Sequence, residues 1–160
     1  MMVSFSLATA SCSTLNRQSP SPQGANQTSV SNGEQIYFTG ADSQGNRISY
    51  TGGPNFGGMM MGSYLTCAAC HGPDAHGGQH FMHMQVMDAP PIYYEALSTM
   101  MVEESGGTQT AEGYTLQDFR TAVIDGQHPD GDELDSDMPR WQISDGDLAD
   151  LFAFLKTIPK

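Results

Sequence analysis

The sequence predicts a mainly helical domain, and three observations carry that expectation. Three segments open on N-capping patterns: Ser31-Asn32-Gly33-Glu34, Thr115-Leu116-Gln117-Asp118 and Ser144-Asp145-Gly146-Asp147. The last of them leads into Leu148, Leu151, Phe152, Leu155 and Ile158 at three-and-four spacing, the strongest periodicity in the chain. Strand signal is poor, limited to Arg47–Thr51 between Gly45 and Gly52-Gly53-Pro54, where a short hairpin arm is expected and no more.

The elements follow in order. Residues 1–12 are an apolar and small-residue run ending at Cys12, which resembles the end of a bacterial lipoprotein signal. It departs from that pattern in having no Lys or Arg before the apolar stretch and Thr9 where a Leu is usual. Lipidation of Cys12 and an ordinary cleaved signal both fit, and both mean export, with a bacterial periplasmic location expected. Residues 13–31 are polar, contain Pro and Gly, and have no apolar periodicity, so they read as a flexible linker. A coil of about 19 residues spans roughly 25 Å. Residues 32–160 form the folded domain. Its first helix runs from the Ser31 cap through Ile36, Tyr37 and Phe38. A weaker helix follows the turn at Pro90-Pro91, from Ile92 to about Met101. The helix opened by Thr115 carries Leu116, Phe119, Val123 and Ile124 on one face and stops at Gly126. The closing helix ends at Pro159.

Composition narrows the function. Apolar residues make up 38% of 160, with 18 glycines and 9 prolines, so the domain is small and rich in loops. Such a chain calls for stabilisation beyond its own core. The net charge of -12 argues against nucleic acid or an anionic membrane as partner. It favours a basic protein partner, or serves solubility alone. No apolar run is long enough to span a membrane, so attachment would come only through a lipid on Cys12.

Two of the three cysteines stand in Cys67-Ala68-Ala69-Cys70-His71, the C-x-x-C-H pattern of covalent haem attachment. The spacing has a chemical reason. Thiols three positions apart on one helical turn each reach a vinyl group on one porphyrin edge, and the following imidazole projects beneath the iron. A redox dithiol would follow a strand in a thioredoxin-like unit, and a structural zinc site would need a second Cys or His pair. The sequence offers neither.

From Gly33 to Ile158 the chain resembles class I c-type cytochromes, the cytochrome c-like family. The resemblance rests on a first helix with Gly33 and Tyr37, then CAACHG, a Pro-containing loop, a middle helix, Met138-Pro139, and a closing amphipathic helix. It implies a helical domain around one covalent haem c, with the closing helix, including Phe154, packed across the first. One departure stands out: the stretch from Gly40 to Thr66, with Met59-Met60-Met61, is a Gly- and Met-rich insertion before the haem motif. It is expected to loop out, over a haem edge.

His71 is then one axial ligand. Met138 is the expected sixth ligand, because Asp137-Met138-Pro139-Arg140-Trp141 is similar to the family's Met-Pro loop and lies between the middle and last helices. Pro139 stiffens that turn. The family holds the proximal imidazole with a proline carbonyl, and Pro90 and Pro91 both match. Tyr64, Arg140 and Trp141 are haem-pocket candidates, Trp141 and Arg140 as partners of a propionate.

The resemblance implies an electron carrier, not an enzyme, serving a membrane or periplasmic redox protein with a basic docking surface. Two alternatives stand beside it. An iron without Met138 would bind peroxide or a small gas, with His128 a remote distal base. The run His80, Met82, His83, Met84 and Met87 has soft ligands suited to copper. Read as an extended strand, it turns Met82, Met84 and Val86 to one side against a haem edge and His83 to the other, which splits the ligands.

Overall fold

The computed structural model describes residues 31–54, 65–82, 85–104 and 113–160. Cys12, Met59–Met61, Tyr64, His83 and Met84 lie outside the described residues, as do the expected signal and nearly all of the linker. In chain order the elements are α1 (Asn32–Thr39), β1 (Ser49–Thr51), α2 (Cys67–His71), β2 (Gly78–Met82), β3 (Gln85–Ala89), α3 (Tyr94–Glu104), α4 (Leu116–Arg120), β4 (Arg140–Gln142) and α5 (Asp145–Leu155). A π-helical turn, Thr121–Asp125, continues α4. The fold is mainly helical, as expected, with two small antiparallel pairs. No helix among the described residues is long and apolar enough to cross a membrane.

All three capping patterns form. Ser31 Oγ accepts from Glu34 N at 3.1 Å, and Ser144 Oγ accepts from Asp147 N at 3.2 Å. At Thr115 the box closes in both directions: Asp118 N donates to Thr115 Oγ1 at 3.2 Å, and Thr115 N donates to the Asp118 carboxylate at 2.8 Å. Leu116, expected on the apolar face, is 41% exposed, while Phe119 and Val123 are buried. As the first helical residue its Cβ leans past the helix end, with no earlier turn beneath it. The closing helix stops at Leu155, short of Pro159. Tighter bonds, Thr157 N to Phe154 O and Ile158 N to Leu155 O, then wind the chain so that Ile158 is buried from a turn. The helix expected from Ile92 begins at Tyr94, because Ile92 N is drawn back to Ala75 O at 2.8 Å.

The core joins α1 to α5. Leu148, Leu151, Phe152 and Leu155 are each at most 5% exposed, and each such burial contributes roughly 1.5–3 kcal/mol. Phe154 meets Tyr37 at 5.4 Å between ring centroids, as the resemblance implied. Phe152 stacks on Phe119 at 5.1 Å and lies 5.9 Å from Tyr94, so one ring ties α3 and α4 to α5. Asn32 donates its side-chain amide to Asp147 and Asp150 at 2.9 and 2.8 Å, fixing the start of α1 on α5.

The strands correct the sequence reading twice. β1 is no free hairpin arm: it pairs with β4, Ser49 opposite Gln142, Tyr50 opposite Trp141 and Thr51 opposite Arg140. Three residues gain too little alone, and the Tyr50 and Trp141 rings, 4.9 Å apart, supply the cross-strand contact. The Met/His segment is likewise not one continuous strand. It reverses between Met82 and Gln85, and His80 pairs with Met87 while Phe81 pairs with Val86. Met87 is buried and Val86 is 68% exposed, so the inward residue is the one that the simple alternation placed opposite.

The contact between α1 and α5 sets a prediction. A Cβ at Gly33 would lie 2.0 Å from Asp150 O and 2.5 Å from its carbonyl carbon, both backbone atoms that cannot swing away. Gly33→Ala should destabilise the fold by about 3 kcal/mol, at the upper end of overpacking costs, with a lowered midpoint in thermal and urea unfolding. A wild-type midpoint would show that the helices do not meet here.

Candidate functional site

The helix α2 is one turn long and is built by local chemistry. Thr66 Oγ1 accepts from Ala69 N at 3.2 Å, and Gly72 N closes the other end on Ala68 O at 3.1 Å. Cys67 and Cys70, three residues apart, therefore share a face, and both line one cavity with His71. His71 is 6% exposed, and its Nδ1 lies 2.9 Å from Pro90 O. A carbonyl only accepts, so Nδ1 carries the proton and Nε2 keeps its lone pair. Of the two prolines expected as partner, Pro90 takes the role.

Two residues that sequence reasoning did not assign hold this bond in place. Gly77 donates its N–H to His71 O at 2.9 Å and has a φ of +67°; a Cβ there would lie 2.2 Å from Ala89 O and 2.7 Å from Pro90 O. The Gly77-Gly78 doublet was the available signal for so close a backbone approach. Tyr37, fully buried, donates its hydroxyl to Gly72 O at 2.5 Å. Burial above all, then the nearby Cys67 and Asp74, push its phenol well above the usual range, so it remains a donor. Tyr37 was noted only as part of the first helix.

Burial pushes the Cys67 thiol up to about 12, with Cys70 adding to the effect. Cys70 is raised too, by burial first and then by the charge of Asp137. The His71 imidazole is pushed down by burial; the Pro90 bond opposes this, and His80 adds to it. It is therefore neutral at physiological pH, as an iron ligand must be.

The cavity, about 490 Å³, receives Met138 as well as Cys67, Cys70 and His71. Its walls are mainly apolar, with Leu65, Leu97, Val123 and Trp141 among them. A covalent haem fits this donor set and this enclosure: two thiols on one face, a neutral imidazole, a thioether, and a low-dielectric wall. Met87 and Met100 also line the cavity, where flexible thioethers fill irregular gaps.

The remaining pocket candidates separate. Trp141 lines the cavity. Tyr64 lies outside the described residues. The Arg140 guanidinium donates to the carbonyls of Met138 and Leu134, the latter at 3.0 Å. Of the soft residues, His80 and Met87 face each other across β2 and β3, and His83 and Met84 lie outside the described residues. Among the described residues no group of three His, Cys, Asp or Glu side chains is drawn together as a metal site.

These features define a haem protein of the c type, with a His71/Met138 ligand pair suited to electron transfer. The family model for cytochrome c matches residues 62–159, well over half of the chain, and the chain belongs to that family. Comparison with curated proteins and with solved structures finds no match. Family members are typically electron carriers, and membership is consistent with a periplasmic or otherwise exported chain.

The Tyr37 bond can be tested directly. Tyr37→Phe removes one donor and leaves the Gly72 carbonyl unpaired beside the His71 turn. We expect a loss of about 1–3 kcal/mol in urea unfolding of the holo-protein, the cost of one unsatisfied buried acceptor. A wild-type midpoint would mean that Gly72 O has another partner.

Proposed function

We propose that this protein is an exported electron carrier with no catalytic activity of its own, tethered through residues 13–31, with Cys12 as the point of lipidation. The observation that carries the electron-carrier reading is the single cavity into which Cys67, Cys70, His71 and Met138 all converge. The haem, when bound, supplies a one-electron couple. The chain supplies the rest. His71, neutral and oriented by Pro90, and Met138, from the loop before β4, are the residues that would hold the iron, and with both bound it would have no position left for substrate. The apolar wall excludes water, which limits the charge reorganisation that accompanies each change of oxidation state.

The partner is a redox protein with a basic docking surface. The loop leading to Met138 carries Asp130, Asp132, Glu133, Asp135 and Asp137, all exposed, and Asp135 and Asp137 stand on the cavity itself. Val86, exposed on β3, reaches the same cavity. An apolar contact beside an acidic arc suits a partner with lysines or arginines around an apolar centre.

A second reading has one observation in its favour. His128 lines the same cavity as Met138, as a distal group in a gas- or peroxide-binding protein would. Met138→Ala distinguishes the two. On the carrier reading, the wild-type protein is low-spin, shows a sulfur-to-iron charge-transfer band and excludes carbon monoxide. The variant loses the band, binds carbon monoxide and has a lower reduction potential, because a thioether favours the ferrous state. Carbon monoxide binding by the wild-type protein would favour the second reading.

The docking proposal predicts a salt effect. Attraction between exposed charges is screened over about 8–10 Å at moderate ionic strength, so electron transfer with the native partner should slow as salt rises. Asp135→Asn with Asp137→Asn should flatten that dependence. A rate that is flat or rises with salt in the wild-type protein would return the acidic arc to solubility alone.

A further inference from the structure

Arg140 follows the ligand loop in sequence, but its side chain folds back over it. Its backbone is fixed in β4 opposite Thr51, while its guanidinium donates to the carbonyls of Met138 and Leu134 and stands 3.5 Å from Asp135 O. One planar group thus bridges both ends of the segment that delivers Met138. The segment needs such a restraint, because Pro139 has no N–H and contributes no bond of its own.

The position of the guanidinium is set by Gly126. That residue ends the π-helical turn in the left-handed region, φ +70°, with its N–H on Thr121 O. A Cβ at 126 would lie 1.6 Å from Arg140 Nε and 2.1 Å from Cζ. The Arg140 side chain therefore lies in the space that a side chain at 126 would take. Leu134 N donates to Gly126 O at 2.9 Å, so the same glycine also holds the start of the loop.

We propose that Arg140, seated on Gly126, is a positioning residue that holds Met138 at its axial place; this rests on Met138 being the sixth ligand. A thioether is a weak ligand, and its occupancy depends on how rarely the loop swings away. Removing the fork frees two carbonyls and raises the fraction of time the iron is open. A lysine keeps the charge but is a single point donor and cannot span both carbonyls.

The test uses the holo-protein, with circular dichroism confirming the fold of each variant. The readouts are the charge-transfer band, carbon monoxide uptake by the reduced protein, and hydrogen exchange of the amides from Leu134 to Met138. Arg140→Gln should weaken the band and raise carbon monoxide uptake about tenfold or more, with faster exchange confined to this segment. Arg140→Lys should fall between it and the wild type. Gly126→Ala should reproduce the loss although Arg140 is intact. Wild-type band and uptake in Arg140→Gln would overturn the proposal. If that variant does not fold, wild-type behaviour in Arg140→Lys would do the same. A wild-type protein that lacks the band would instead overturn the Met138 ligation on which the proposal rests.

Discussion

The space for a single hydrogen atom at position 33 governs the arrangement of this domain. Where α1 meets α5, the Asp150 carbonyl occupies the volume that any larger residue's Cβ would need. Because the two helices touch backbone to backbone at that point, the residue one helical turn along α1 has a fixed place. That residue is Tyr37, and its hydroxyl reaches the carbonyl of Gly72, the residue after His71. The imidazole is then held from two directions, through the turn that Tyr37 anchors and through Pro90 O on its ring. A contact between the two ends of the domain thereby helps fix an iron ligand through the Tyr37 bond.

The two faces of the site are built differently. Apart from the Tyr37 bond to Gly72 O, the imidazole side is local: α2, the bond from Gly77 to His71, and the Pro90 carbonyl all fall between Thr66 and Ile92. The thioether side is assembled from distant parts. Met138 is carried by a loop pinned to β1 through Thr51 and Arg140 and through Gly53 N on Ser136 O at 3.2 Å, and to the middle helix through Gly126. The segment before the haem motif therefore does more than loop out, since its strand braces the opposite ligand. The division suits the chemistry. Imidazole binds iron in both oxidation states with little help, whereas a thioether must be held against the metal by its surroundings.

How much of this the sequence revealed follows from how local each signal is. The cysteines and His71 were legible because their spacing is the chemistry. Helix starts were legible because a cap needs only four consecutive residues, and Asp118 in place of Glu still closed the box at Thr115. Pro90 could be narrowed to a pair, but choosing it required knowing that Gly77 brings the chain against that carbonyl. The pairing of β1 with β4 was not legible: three-residue strands far apart in the chain carry no periodic signal, and only Tyr50 on Trp141 marks the register. The contacts of Arg140 with the ligand loop were not legible either, because they depend on an absent side chain at Gly126, fourteen residues earlier. Val86 does reach the cavity, but the reversal before Gln85 also brings Met87 inward, which a run of alternation read as continuous would not show.

The π-helical turn Thr121–Asp125 has a bearing on how this chain tolerates changes in length. Each added α-helical residue rotates the next by roughly 100°, whereas a turn closed five residues back absorbs one residue with no net rotation of the faces on either side. Phe119 before the turn and Gly126 after it are both committed, one to the core and one to Arg140. Deleting one residue within Thr121–Asp125 would let the helix regularise while leaving Phe119 and Gly126 on their present faces, whereas adding one would rotate Gly126 away from the guanidinium. This short segment should therefore tolerate the loss of a residue better than the gain of one.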